Sequence, residues 1–260
     1  MRGFWAGLAC VVASAGLAQA GGAPKPETRM RVLVFYSEHT ESDHVDFARQ
    51  ANHFFGAEAA REHFDWDVTT NWDDLNAANL KRYREVVWLN DEPHTEAQRR
   101  AFEAYMDGGG GWLGFHVAAY NDAESGWPWF LKFLGGAMFY GNNWPPLPAD
   151  LAVEDRGNAM LRGFPESYRS PANEWYLWKP DPRENKDVRV LLSVKPSNYP
   201  IGLKDVITAG DLPVVWTNTR YRMLYVNMGH GDKVFDSPQQ NQFFERAVLW
   251  VGRDAAAKTK

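Results

Sequence analysis

The run Gly108-Gly109-Gly110-Gly111-Trp112-Leu113-Gly114-Phe115-His116-Val117-Ala118 constrains the fold of this chain more than any other segment. A glycine cluster closes a helix and leads into a short apolar strand, and the strand stops in Gly-x-His-x-Ala. Gly-x-nucleophile-x-Gly/Ala at a strand's end is the pattern of a nucleophile elbow, a tight turn that lifts one side chain clear of the sheet. Here the lifted side chain is His116, and neither Ser nor Cys stands at that position. The turn would hold a general acid or base, or a metal ligand. The plainer alternative is a satisfied polar side chain at a strand end.

The flanking pattern supplies the rest of the sheet. Met30 to Tyr36 is apolar nearly throughout, as a buried parallel strand is. Phe47, Ala51, Phe54, Phe55 and Ala59 then recur at helical spacing, and Trp66–Thr70 and Val86–Leu89 read as strands. Thr95 with Gln98 forms a capping box for a helix that buries Ala97, Ala101, Phe102 and Tyr105 and ends at Gly108. Alternation of strand and helix over 30–116 is the signature of a parallel sheet with crossover connections. Further on, 127–134 reads as a short aromatic helix and 140–148 as a loop. Val188–Val194, 213–217 and 221–227 read as strands. Ser237 with Gln240 caps a last helix that turns Phe243, Ala247, Val248 and Val251 inward. One α/β domain over 30–252 is expected, with a tail at 253–260.

In open parallel sheets ligands sit outside the carboxyl ends of the strands. That rule gathers the loops 37–44, 90–94 and 228–236 with the elbow, and so His39, His44, His94, His116 and His230. Gly229-His230-Gly231-Asp232 follows a late strand, and Asp232 is placed to fix the His230 tautomer. Glu38, His39, Asp43 and His44 lie in one stretch, where His and carboxylate together suit Zn²⁺ or another divalent ion. His39, His44, His116 and His230 are the metal-ligand candidates. Asn173-Glu174-Trp175-Tyr176 joins a carboxylate to aromatic rings, the composition that meets the C–H faces and hydroxyls of a sugar. Trp72 and Trp216, near predicted loops or strand ends, join them as substrate-binding candidates, with Glu38, His39, Asn173, Trp175 and Tyr176.

Composition narrows the setting. The formal charge of −5 comes without a basic stripe, which argues against a nucleic-acid partner. Arg2, an apolar stretch over 4–17 and Ala18-Gln19-Ala20 read as a secretory signal peptide over 1–20, followed by a leader over 21–29. The expected product is periplasmic or secreted and free of the membrane after cleavage. Cys10, the one cysteine, falls inside that signal, so the mature chain has no thiolate nucleophile or ligand.

From Met30 to Gly252 the chain resembles the trehalose-utilisation (ThuA-like) family, within the class I glutamine-amidotransferase-like superfamily. The resemblance is carried by the first strand and His44, the Gly108-Gly109-Gly110 exit and Gly114-Phe115-His116-Val117-Ala118. It continues through Trp127-Pro128-Trp129, Glu174-Trp175-Tyr176, Pro213-Val214-Val215-Trp216 and Gly229-His230. It implies a three-layer flavodoxin-like α/β fold, mainly parallel, with helices on both faces. It also implies that His116 stands where amidotransferases carry cysteine, so glutamine hydrolysis through a thioester is excluded. The family is associated with catabolism of trehalose-like disaccharides and their 3-keto derivatives. The loop 37–44, the segment 140–148 and Asp211-Leu212-Pro213 depart from the family pattern, and the substrate is expected to differ accordingly.

The functional expectation is an enzyme, a hydrolase, lyase or isomerase acting on a glycoside or keto-sugar. His116 or Glu174 would serve as base and His230 as acid, with His44 beside them, and a divalent metal would polarise the carbonyl. The alternative is a non-catalytic sugar-binding module on the same scaffold.

Overall fold

The computed structural model describes residues 29–122, 124–198 and 212–254, together with 1 and 3. The expected signal peptide and leader, apart from Met1, Gly3 and Arg29, lie outside the described residues, as do Asp211 and the tail from 255.

In chain order the elements are β1 (Arg31–Phe35), α1 (Ser42–Glu62), β2 (Asp65–Thr69), α2 (Ala77–Leu80), β3 (Glu85–Trp88), α3 (Glu96–Asp107), β4 (Gly111–Phe115) and α4 (Pro128–Phe133). There follow β5 (Met138–Asn142), β6 (Leu147–Val153), β7 (Ser167–Asn173), β8 (Tyr176–Lys179), β9 (Val188–Val194), β10 (Leu212–Asn218), β11 (Arg222–Val226) and α5 (Pro238–Leu249). Nine strands form one sheet in the order β2-β1-β3-β4-β11-β10-β9-β6-β7. The first five are mutually parallel, and β10, β9, β6 and β7 extend the sheet antiparallel. β5 and β8 pair separately as a two-stranded antiparallel sheet.

Strand alternation divides the core into two layers. Val32 and Val34 of β1 pack with Phe47, Ala51 and Phe55 of α1 and Phe244 and Ala247 of α5. Leu33 and Phe35 face the other way, toward Phe102 and Met106 of α3 and Phe130 and Phe133 of α4. Helices thus cover both faces, as a parallel sheet buried on two sides requires.

Local signals explain the helix limits. Thr95 and Gln98 make the reciprocal capping box that starts α3. Ser237 accepts from the Gln240 backbone N–H, but Gln240 does not complete a second box. Its buried side chain donates to Val234 O and accepts from Ser170 Oγ, tying α5 to β7.

The segment 140–148, expected as a loop, contains the end of β5 and the start of β6. Pro148 obscured β6: it falls at a register shift between Leu147 and Ala149, where a proline costs no ladder hydrogen bond. Pro171 lies on β7, the edge strand, which tolerates it for the same reason.

Candidate functional site

Four side chains converge beyond the carboxyl ends of the parallel strands. His44 comes from the first turn of α1, His116 from the turn after β4, Glu174 from the β7–β8 connection and His230 from the segment after β11. One ligand-type atom from each lies within 4.8 Å of the others. The rings of His44 stand 5.1 Å from His116 and 5.0 Å from His230.

Each side chain is held by a separate device. Glu41 caps α1, accepting from the backbone N–H groups of Asp43 and His44, and so brings His44 into the helix rather than leaving it on a loop. Asn90, at the end of the β3 segment, donates to the backbone oxygens of Ser37 and His44 and to Thr40 Oγ1, and pins the whole β1–α1 loop. His116 adopts φ 45° at the start of a 3-10 turn, a left-handed conformation rare for non-glycine residues. Its Nδ1–H donates to Asn227 O at 2.8 Å, and the Tyr176 ring lies 4.1 Å from its own. Gly229 runs against it so closely that a Cβ there would stand 2.6 Å from His116 Cβ.

Asn173, fully buried, accepts through Oδ1 from the backbone N–H groups of Gly229 and His230, both at 3.1 Å, which sets the chain entering His230. His230 then carries Nε2 3.1 Å from Asp43 Oδ2 and Nδ1 3.5 Å from Glu174 Oε2. Neither nitrogen makes a well-aligned hydrogen bond, and His44 Nε2 is likewise buried without a partner. Glu174 Oε2 stands 3.3 Å from His116 Nε2, while its Oε1 accepts from Asn142 Nδ2 at the end of β5.

Burial decides the protonation of this group. Desolvation, reinforced by the neighbouring imidazoles, lowers His44 to about 3 and holds His116 well below the usual histidine range, so both rings are neutral. Desolvation raises the Glu174 carboxyl above its ordinary value.

The remaining candidates fall elsewhere. Asp232 is exposed and opens a 3-10 turn; the carboxylates facing His230 are Asp43 and Glu174. Glu38 is exposed and pairs with Arg49, which lowers its carboxyl, and His39 is exposed on the same loop; neither joins the cluster. Trp175 and Trp216 are fully buried, their indole N–H groups on Leu147 O and Leu134 O, so they are core residues and not a sugar platform. Trp72 is buried against Phe35 and Trp88. Tyr176 and Asn173 act on the site from inside, as supports of His116 and His230.

The exposed aromatics are others: Tyr120, Tyr140 and Trp144, the last 53% accessible with its ring 6.3 Å from His230. Asn90, Asn142 and Asn227 are the supporting residues that sequence reasoning missed; their amides carry no sequence pattern. Asp43, read in sequence as part of an ion-binding stretch, instead faces His230.

Among the described residues no helix is long and apolar enough to cross a membrane. The family model for trehalose utilisation (ThuA) matches residues 31–251. Among solved structures the chain is similar to a ThuA-like protein from Bacteroides uniformis, at 48% identity and a TM-score of 0.84 over 90% of this chain and 95% of that one. A ThuA-like protein from Parabacteroides merdae shares the fold at 14% identity, with a TM-score of 0.65 over 89% and 92%. A GMP synthase component from Thermoplasma acidophilum does so at 12% identity, with a TM-score of 0.53 over 86% and 95%. These likenesses agree with the three-layer, amidotransferase-like architecture. No curated protein matches the sequence. On the family match and the 48%-identical relative, the chain belongs to the trehalose-utilisation (ThuA) family, and its place is in sugar utilisation.

Proposed function

We propose that this protein is an exported enzyme that cleaves a glycoside of a keto-sugar by proton transfer beside the carbonyl. The observation that carries the reading is the convergence of buried His44, His116 and His230 with half-buried Glu174 at the strand ends, flanked by an open rim. The rim holds Asp43, whose side chain is 44% accessible, and Trp144.

A ketone at C3 of a pyranose acidifies the hydrogen at C2. A rim carboxylate takes that proton, and Asp43 is the group with access. The electron pair enters an enolate, whose oxygen a cation or proton held by His44, His116, Glu174 and His230 would stabilise, the electrostatic contribution that dominates many active sites. Collapse of the enolate expels the glycosidic oxygen from C1; that oxygen takes up a proton, and the sugar keeps a C1–C2 double bond. Water adding across that bond makes the net reaction a hydrolysis. No covalent nucleophile is needed, in keeping with a histidine at the elbow. Trp144 offers an apolar face to a pyranose ring. Export rests on Arg2, the apolar stretch 4–17 and Ala18-Gln19-Ala20.

The test is incubation with 3-keto-trehalose in D₂O, followed by NMR. Deuterium at C2 and release of free glucose are expected from the wild type. Asp43→Asn should lose about 10²-fold or more of both, the size of an acid–base contribution. Wild-type protein that gives neither exchange nor release overturns the enzyme; sugar binding without turnover would make it a binding module. An N-terminus at Gly21 in the exported fraction is expected, and an intact Met1 there would remove the signal peptide.

A further inference from the structure

The inner atoms of the cluster present a chemical problem. His116 Nδ1 carries the proton it donates to Asn227 O, so Nε2 of the neutral ring is a lone-pair acceptor. That acceptor faces Glu174 Oε2, also an acceptor, at 3.3 Å. His230 Nδ1 faces the same oxygen at 3.5 Å. His44 Nε2 is buried beside them with no partner at all. Acceptors aimed at one another in a buried space repel unless something positive lies between them.

The outer nitrogens complete the pattern. His116 Nδ1 rests on a backbone carbonyl, His230 Nε2 stands 3.1 Å from Asp43 and His44 Nδ1 stands 3.7 Å from Glu41. Each imidazole therefore has an oxygen near its outer nitrogen, hydrogen-bonded in His116 and without a well-aligned hydrogen bond in His44 and His230. That is how metal-binding histidines are held, with the second nitrogen on a carboxylate or carbonyl that sets the tautomer. Asn142 does the same for Glu174, taking Oε1 and leaving Oε2 inward.

The spacing to Glu174 fits as well, and all four ligand atoms lie within 4.8 Å of one another. With bonds of about 2.0–2.1 Å, the ligands of a tetrahedral zinc ion stand about 3.4 Å apart. The two separations measured to Glu174 Oε2, 3.3 and 3.5 Å, match that edge.

We propose that His44 Nε2, His116 Nε2, His230 Nδ1 and Glu174 Oε2 form a binding site for one divalent transition-metal ion of the zinc class. Three imidazoles and one carboxylate suit zinc or its first-row neighbours better than calcium or magnesium, which take oxygen. The proposal rests on the same cluster as the proposed function and identifies the positive charge that function needs. The alternative occupant is a proton shared between Glu174 and His116.

The test is metal binding by the full mature chain, independent of turnover. Protein stripped with a chelator is titrated with Zn²⁺ by calorimetry and with Co²⁺ by visible absorption. One equivalent of Zn²⁺ and the intense visible bands of low-symmetry, four-coordinate Co²⁺ are expected. His44→Ala and Glu174→Gln should each abolish the stoichiometric step, and His63→Ala, remote from the cluster, should retain it. Asp43→Asn should keep the stoichiometry and weaken affinity about 10–100-fold. Circular dichroism on every variant shows that the fold persists. Wild-type protein that stays folded and binds neither ion overturns the proposal in favour of the shared proton. Binding that survives in both His44→Ala and Glu174→Gln overturns it too, because the ion is then elsewhere. Metal bound without keto-sugar turnover would leave this site standing and remove the proposed function; turnover without metal would do the reverse.

Discussion

Gly229→Ala tests whether the elbow histidine is as tightly seated as its surroundings imply. The added methyl would lie 2.6 Å from His116 Cβ and 3.5 Å from its Cγ and backbone nitrogen. Non-bonded carbons settle at about 3.5–4.0 Å, so one side must yield by roughly 1 Å. Neither side yields easily. His116 is fixed by the Asn227 carbonyl, the Tyr176 ring and its own left-handed backbone. Gly229 is tied through its N–H to Asn173 Oδ1. Overpacking at a closed site costs about 1–3 kcal/mol. For a chain of this size that lowers Tm by roughly 2–12 °C. A 1 Å displacement of a catalytic group costs about 10²-fold in rate. Gly56→Ala is the control: it lies in α1, no atom comes within 4 Å of the added methyl, and a gain of about 0.5–1 kcal/mol is expected. Thermal unfolding and the Co²⁺ titration are measured on both. The expected result is a lower Tm with altered Co²⁺ bands for Gly229→Ala, and a raised Tm with unaltered bands for Gly56→Ala. A Gly229→Ala protein matching wild type in both measurements refutes the argument.

At the opposite end of the sheet, Glu85 and Arg222 flank Gly111 in one register row, and both Glu85 oxygens are buried without a hydrogen-bond partner. Burial raises this carboxyl well above 4.5 in the folded state, so the unfolded chain loses its proton first. Stability should fall by about 1.4 kcal/mol per pH unit from that point up to the folded value. Glu85→Gln should therefore match wild type near pH 4 and exceed it near pH 8 in urea midpoint, and parallel pH profiles would count against the buried neutral acid. Asn173→Ala strips the Gly229 and His230 N–H groups of their acceptor, at about 1–3 kcal/mol for each buried donor. Its urea midpoint should drop and metal affinity with it; an unchanged midpoint would mean water replaces the amide. Trp144→Ala should raise KM for the keto-glycoside with little change in kcat, and a fall in kcat alone would remove the platform role.

The parallel half of the sheet was legible because its inner strands, β1, β3, β4 and β11, are apolar nearly throughout and its helices carry their own start signals. Thr95 announced α3, and the Phe47–Ala59 spacing announced α1. The four strands β5 to β8 were not legible: β5 and β8 form a separate pair of mixed composition, and β6 and β7 are interrupted by Pro148 and Pro171 where bulge and edge positions excuse a proline. The histidines of the site followed from topology, because a strand-end rule selects loops before any side chain is placed. What it could not do is choose within a loop. His39 and His44 are equivalent to that rule, and only the Glu41 cap, which starts the helix at Ser42, turns one inward. Aromatic composition misled for a related reason. Trp175 and Trp216 look like sugar platforms in sequence, and burial in a tightly packed core is a property of the whole sheet.

The small β5–β8 sheet forms one wall of the pocket. It contributes Asn142 and Tyr176, and Glu174 and Trp144 lie on its margins, yet no ladder hydrogen bond joins it to the nine-stranded sheet. The histidines are held by the large sheet and its helix, while Glu174 leads from the edge strand β7 into β8 and its tether Asn142 lies on β5. The two sheets already meet through the Tyr176 N–H on Asn227 Oδ1 and the packing of Trp178 on Trp216 and Tyr225. An occupant gripping both the histidines and Glu174 would therefore add one more clasp across that junction.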